Sequence, residues 1–170
     1  MGASGWDYRV PHQADLDAAL QALRRDVFAR GDYYKPWEDA DPEARAAMAR
    51  QLTEMAGLTG TDLDESILER LRAGAGPASI DEALLWSLDS GTHSVLDVAS
   101  VQKEPGFGVV TTADAALLQE LFGTTEPTSA AIGDNVVAVF DRISRWRGVA
   151  IVAYADGAPE SIAFIGISGD

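Results

Sequence analysis

Gly148–Asp170 reads GVAIVAYADGAPESIAFIGISGD, and its reading decides the fold. Two apolar, β-rich runs, Val149–Tyr154 and Ser161–Ser168, flank an Asp-Gly-Ala-Pro turn. An Asp-Gly pair between such runs signals a tight hairpin, because Gly157 can take the positive φ the turn needs. Val149, Ile151 and Ala153 fall on one face of the first run, and Ala150, Val152 and Tyr154 on the other. A strand apolar on both faces is covered on both, so the hairpin is expected at the centre of a sheet.

Upstream, Trp6–Val10 alternates as a short strand, ended by Pro11. Leu16, Leu20, Leu23 and Val27 recur at helical spacing, with acids before them, arginines after them and Gly31 as a stop. Asp41-Pro42 opens a second helix ending at Gly57, and Thr61-x-x-Asp64 and Ser79-x-x-Glu82 read as capping boxes for two more. The second of those helices is expected to run to Gly91. Thr92–Val98 and Phe107–Thr111 read as strands around the turn Glu104-Pro-Gly106. One helix capped by Thr112 and stopped by Gly123, and another opened by Thr128 or Ser129 and carrying Ile132 to Ile143, precede the hairpin. The sum is an α+β fold: a mainly antiparallel sheet with a C-terminal β-hairpin, packed by about six helices, the N-terminal half helix-rich. A single compact domain over 1–170 is expected, with 56–78, rich in Gly and Thr, as its mobile or boundary stretch.

The formal charge of −14, from 27 acids against 13 bases, repels phosphates and anionic membranes. Direct nucleic-acid binding is therefore not expected, and a basic protein partner is. With no cysteine and two histidines, no disulfide, thiol nucleophile, metal site or cofactor is expected. The first residues lack the basic and apolar regions of a signal peptide and the myristoylation pattern after Gly2, and no run reaches the roughly 20 apolar residues of a membrane span. A cytoplasmic protein is the expectation.

Gly91–Asp97, GTHSVLD, holds what chemical grammar there is. On a strand, His93 and Asp97 share a face but stand about 13 Å apart. A base at His93 would then need Asp97 or Asp7 brought to it by the fold. The aromatic residues Trp6, Tyr8, Tyr33, Tyr34 and Trp37 form the candidate binding set, since Tyr and Trp dominate interface hot spots. The same residues serve as lids over a core. No Walker loop, dinucleotide fingerprint or nucleophile elbow is present.

The stretch WDYRVPHQADLDAALQALRRDVF at Trp6–Phe28, GTHSVLD, LFGTTEPT at Leu121–Thr128 and the closing SGD together resemble a group of small uncharacterised actinobacterial proteins. The resemblance implies a cytoplasmic bacterial origin and carries no catalytic residue across. Acidity, a missing catalytic motif and an aromatic loop point to a small protein that binds and neutralises or regulates a basic protein partner, as immunity proteins and antitoxins do. The competing readings are a small-molecule enzyme using His93 with a carboxylate, and a homodimer joined through an apolar sheet face.

Overall fold

In the computed structural model, which describes residues 4–169 with Asp89 by its backbone only, the two apolar runs form β4, Arg147–Ala155, and β5, Ala158–Ile167. Asp156 and Gly157 turn between them with φ of 51° and 76°, the positive pair of a two-residue type I′ hairpin. A bulge at Ala153/Tyr154 increases the local twist. β1, Gly5–Pro11, pairs antiparallel with β5; β3, Val109–Thr112, runs parallel to β4, and β2, Ser100–Gln102, parallel to β3. The order β1-β5-β4-β3-β2 leaves the hairpin flanked on each side, as its two-sided apolarity requires.

The α+β class stands, but the sheet is mixed rather than mainly antiparallel. Three helices lie between β3 and β4 and return the chain across the sheet, so the second strand enters in the same direction as the first. The link from β2 to β3 is short because a three-residue strand leaves only about 10 Å to retrace.

Thr92–Val98 is not a strand. His93 takes φ 51°, Ser94 Oγ accepts the Leu96 N–H at 3.2 Å, and Val95–Asp97 closes as a 3-10 turn. Serine offers the backbone a local partner that competes with a ladder, so pairing begins only at Ser100.

Seven α-helices are present among the described residues: α1 Leu16–Arg30, α2 Pro42–Thr59, α3 Glu65–Ala73, α4 Ile80–Ser87, α5 Ala115–Phe122, α6 Ser129–Asp134 and α7 Val136–Phe140. The last two were expected as one; Asn135 interrupts them by turning its side-chain amide onto Ala131 O at 2.9 Å. α2 runs past Gly57 to Gly60, which caps it at φ 68°. Thr61 does not cap α3, because its N–H closes α2 on Ala56 O and its hydroxyl meets that of Thr59; Asp64 takes the role instead. α4 stops at Ser87 and continues as a 3-10 turn over Leu88–Ser90 rather than reaching Gly91 as a helix. Asp114, not Thr112, caps α5.

Backbone packing divides the chain into two compact units, one comprising the chain up to Tyr33 and from His93 onward, the other Tyr34–Thr92. In the first, α5–α7 cover one sheet face, where Val149, Ile151, Ala153, Ala163 and Ile165 meet Ile132 and Val139. Phe164, Ile162 and Ala150 occupy the opposite face and are fully buried; α1 packs on β2 and on the 3-10 turn Val95–Asp97, which itself packs on β1 and β5. Each Val, Ile or Phe among them removed from water contributes about 1.5–3 kcal/mol before entropy is counted. On β4 and β5 the apolar side chains named here are thus buried on both faces within the first unit. In the second unit, α2 packs on α3 and α4 around Leu52, Leu68, Leu71 and Trp86. Segment 56–78 lies within it, as the end of α2 and all of α3.

Candidate functional site

The aromatic candidates separate by burial. Trp6 on β1 is 4% exposed, and its indole lies over Gly166 of the adjacent β5 and Gly148 of β4 beyond it. A Cβ on Gly166 would stand 2.1 Å from that ring, so the two glycines form the slot that receives it. Trp37 is 3% exposed and meets Trp86 edge-on at 5.2 Å, which makes it part of the second unit's core. Tyr33 stacks on Phe28 at 5.9 Å in the first unit. Tyr8 is half-buried and 6.2 Å from Trp6. Tyr34 alone of the five is substantially exposed, at 43%, while its backbone N–H donates to Thr92 O at 2.7 Å. Of the loop's three aromatic side chains, Trp37 is buried, Tyr33 half-buried and Tyr34 exposed.

The chemical candidates also separate. Asp7 and Tyr8 are consecutive on β1 and point to opposite faces. Asp7 is ion-paired with Arg9 at 3.2 Å. Asp97, by contrast, is the one fully buried carboxylate among the described residues, and it influences Tyr8. The Tyr8 hydroxyl titrates above its ordinary value, first because burial disfavours the phenolate, then because Asp32 repels it, with a smaller contribution from Asp97. The Val95 backbone and Arg30 act in the opposite sense. Tyr8, His93 and Asp97 therefore belong to the same unit, and the turn that carries Asp97 packs on the strand that carries Tyr8. Ser168, from the closing SGD, is fully buried, its N–H donating to Ser4 O at 2.9 Å; Asp170 lies outside the described residues, as does Gly2.

A polar stripe that sequence reading passed over holds this region. Asp17 Oδ1 accepts the Val101 N–H at 2.8 Å, Gln21 Nε2 donates to Ala99 O at 2.7 Å, and buried Arg24 donates to Gln21 Oε1 at 3.1 Å and to Leu96 O at 3.5 Å. Their spacing of i, i+4 and i+7 along α1 was the available signal. Asp17 also closes part of the exposed β2 edge. Among the described residues, no group of three or more His, Asp or Glu side chains is placed to hold a metal ion.

The second unit carries an apolar groove of about 130 Å³, lined by Leu52, Met55, Ala56, Leu63 and Leu85 with the hydroxyl residues Thr59 and Thr61. Met55 is 40% exposed and Leu58, one turn further along α2, is 88% exposed. Between Gln51 and Glu69 there are five acidic side chains and no basic one. Residues 34–92 as a whole hold 12 acids against 5 bases, half of the net charge on about a third of the chain. An apolar cleft in an acidic surround can receive an apolar anchor carried by a basic surface.

Among the described residues no helix is long and apolar enough to cross a membrane. No family model, no curated protein and no solved structure matches this chain, so the functional reading rests on its own geometry.

Proposed function

We propose that the protein binds a basic protein partner and neutralises or regulates it, in the manner of an immunity protein or antitoxin. The groove at the end of α2 is the observation that carries this reading: an apolar cleft beside a stretch with five acids and no base. Acidic charge accelerates encounter with a cationic surface, and a filled apolar pocket then slows dissociation. The test is capture of partners from the source organism by wild type, by Met55→Ala/Leu58→Ser and by Tyr34→Ala. A basic partner retained at low salt, released as salt rises and lost with the double variant supports the groove. Loss with Tyr34→Ala alone would move the contact to the aromatic loop, and no basic partner, or equal capture by all three proteins, would end the reading.

The burial of Asp97, in the turn that follows His93 in the same unit, motivates a second reading, a small-molecule enzyme in which His93 serves as the base with Asp97. It requires that Asp97→Asn abolish a turnover that the folded wild type displays. A turnover unchanged in that variant would remove it.

A further inference from the structure

At the end of the sheet where β4 begins lies a second cleft, of about 120 Å³, that belongs wholly to the first unit and is independent of the groove on α2. Its apolar floor includes Val109 on β3, Val149 on β4 and Val139 on α7, all three buried. Its polar lining includes Arg147, Ser144 and Thr111. The parallel register places Arg147 opposite Val109, and its position two residues before Val149 puts both on the same sheet face.

Arg147 differs from its neighbours in how it is satisfied. Arg142, also at the cleft, is ion-paired with Glu120, and Arg145 donates to Gly169 O at 3.3 Å. Arg147 is half-buried and makes no side-chain hydrogen bond or ion pair with any described residue. In a chain with 27 acids and 13 bases, a half-buried guanidinium that no described carboxylate has taken is an open position. Partial desolvation without a counter-ion costs free energy, and an arriving anion relieves it. The planar fork of five N–H donors matches a carboxylate in a bidentate arrangement.

We infer that this cleft binds a small organic monocarboxylate, its carboxylate on Arg147 and its apolar tail on Val109, Val139 and Val149. The volume is of the order of a cavity that holds benzene, about 150 Å³, which suits a tail of about three to five carbons. Inorganic phosphate leaves the valine floor unfilled, and of the two basic residues described at the cleft Arg142 already holds Glu120, so a dianion would meet Arg147 alone there, within a chain of net charge −14.

The test is titration of the full chain with butanoate, followed by ¹⁵N NMR of the Arg147 side-chain N–H and the Gly148 and Val149 amides. Saturable shifts at those three groups are expected. Butanamide and phosphate should bind at least about tenfold more weakly than butanoate, and Arg147→Gln should weaken butanoate by a similar factor. Absence of saturation, shifts confined to other residues, or equal binding of butanoate and butanamide would overturn the assignment. Should Arg147→Gln fail to fold, the butanoate–butanamide comparison on wild type decides alone.

Discussion

The indole of Trp6 occupies space that any side chain at position 166 would need. Gly166→Ala places a methyl group against the ring at 2.1 Å, and neither strand can retreat without breaking its ladder. Overpacking of this kind costs about 1–3 kcal/mol, so the variant should melt several degrees lower, by calorimetry, than wild type. Trp6→Phe in the same chain should recover part of the loss; a double-mutant cycle with zero coupling would show that the two residues do not compete for that space. Tyr8 gives a second residue-scale expectation. Its hydroxyl holds its proton more tightly folded than unfolded, chiefly through burial and then through Asp32. The folded state thus binds more protons than the unfolded one in the alkaline range. Stability is fully present below the unfolded tyrosine value of about 10 and falls as pH rises above it. The slope of melting temperature against pH above that value should be shallower in Tyr8→Phe; an unchanged slope would assign the loss to other groups.

At the scale of elements, caps and turns behave as short-range chemistry dictates. Ser79 Oγ accepts the Glu82 N–H at 3.2 Å, while Glu82 accepts from Ala78 N at 2.9 Å and pairs with Arg70 at 2.5 Å. Removing the hydroxyl by Ser79→Ala should cost about 1 kcal/mol, read from the midpoint of urea unfolding. The hairpin turn offers a parallel test. Gly157 sits at φ 76°, where a Cβ is disfavoured though no other atom crowds it. Gly157→Ala should therefore destabilise by about 1 kcal/mol through backbone conformation alone, with hairpin amides exchanging faster with solvent. Unaltered exchange there would mean that the turn does not limit opening of the hairpin.

Charge belongs to the whole molecule. All described carboxylates except Asp17, Glu82 and Asp97 are exposed, so the net −14 acts as a surface field rather than as a set of buried pairs. Its self-repulsion weakens the folded state at low ionic strength and is screened as the Debye length shrinks from about 30 Å at 0.01 M to about 8 Å at 0.15 M. The melting temperature should rise with sodium chloride over that interval. A flat response would show that surface ion pairs such as Arg30–Asp26 and Arg72–Glu65 already offset the repulsion.

The sequence by itself determined what depends on neighbours along the chain. The Asp156-Gly157 turn, α1 from the acids at its start to the Gly31 stop, the Asp41-Pro42 start and the two-sided apolarity of β4 are all legible, because each rests on contacts within a few residues. Competition between local signals already blurred the rest: Ser94 turned an apparent strand into a 3-10 turn, and Asn135 split a helix that its apolar pattern made continuous. Only the tertiary structure decided strand direction, because β3 and β4 become parallel through three intervening helices whose path no residue pattern encodes. It also decided which aromatic residues are core. Trp37 and Tyr34 lie three residues apart in one loop, yet one is held against Trp86 and the other faces solvent. The groove on α2 and an Arg147 that no described residue pairs with were invisible for the same physical reason. Each is defined by what distant segments leave uncovered or unpaired, and that is a property of the assembled surface.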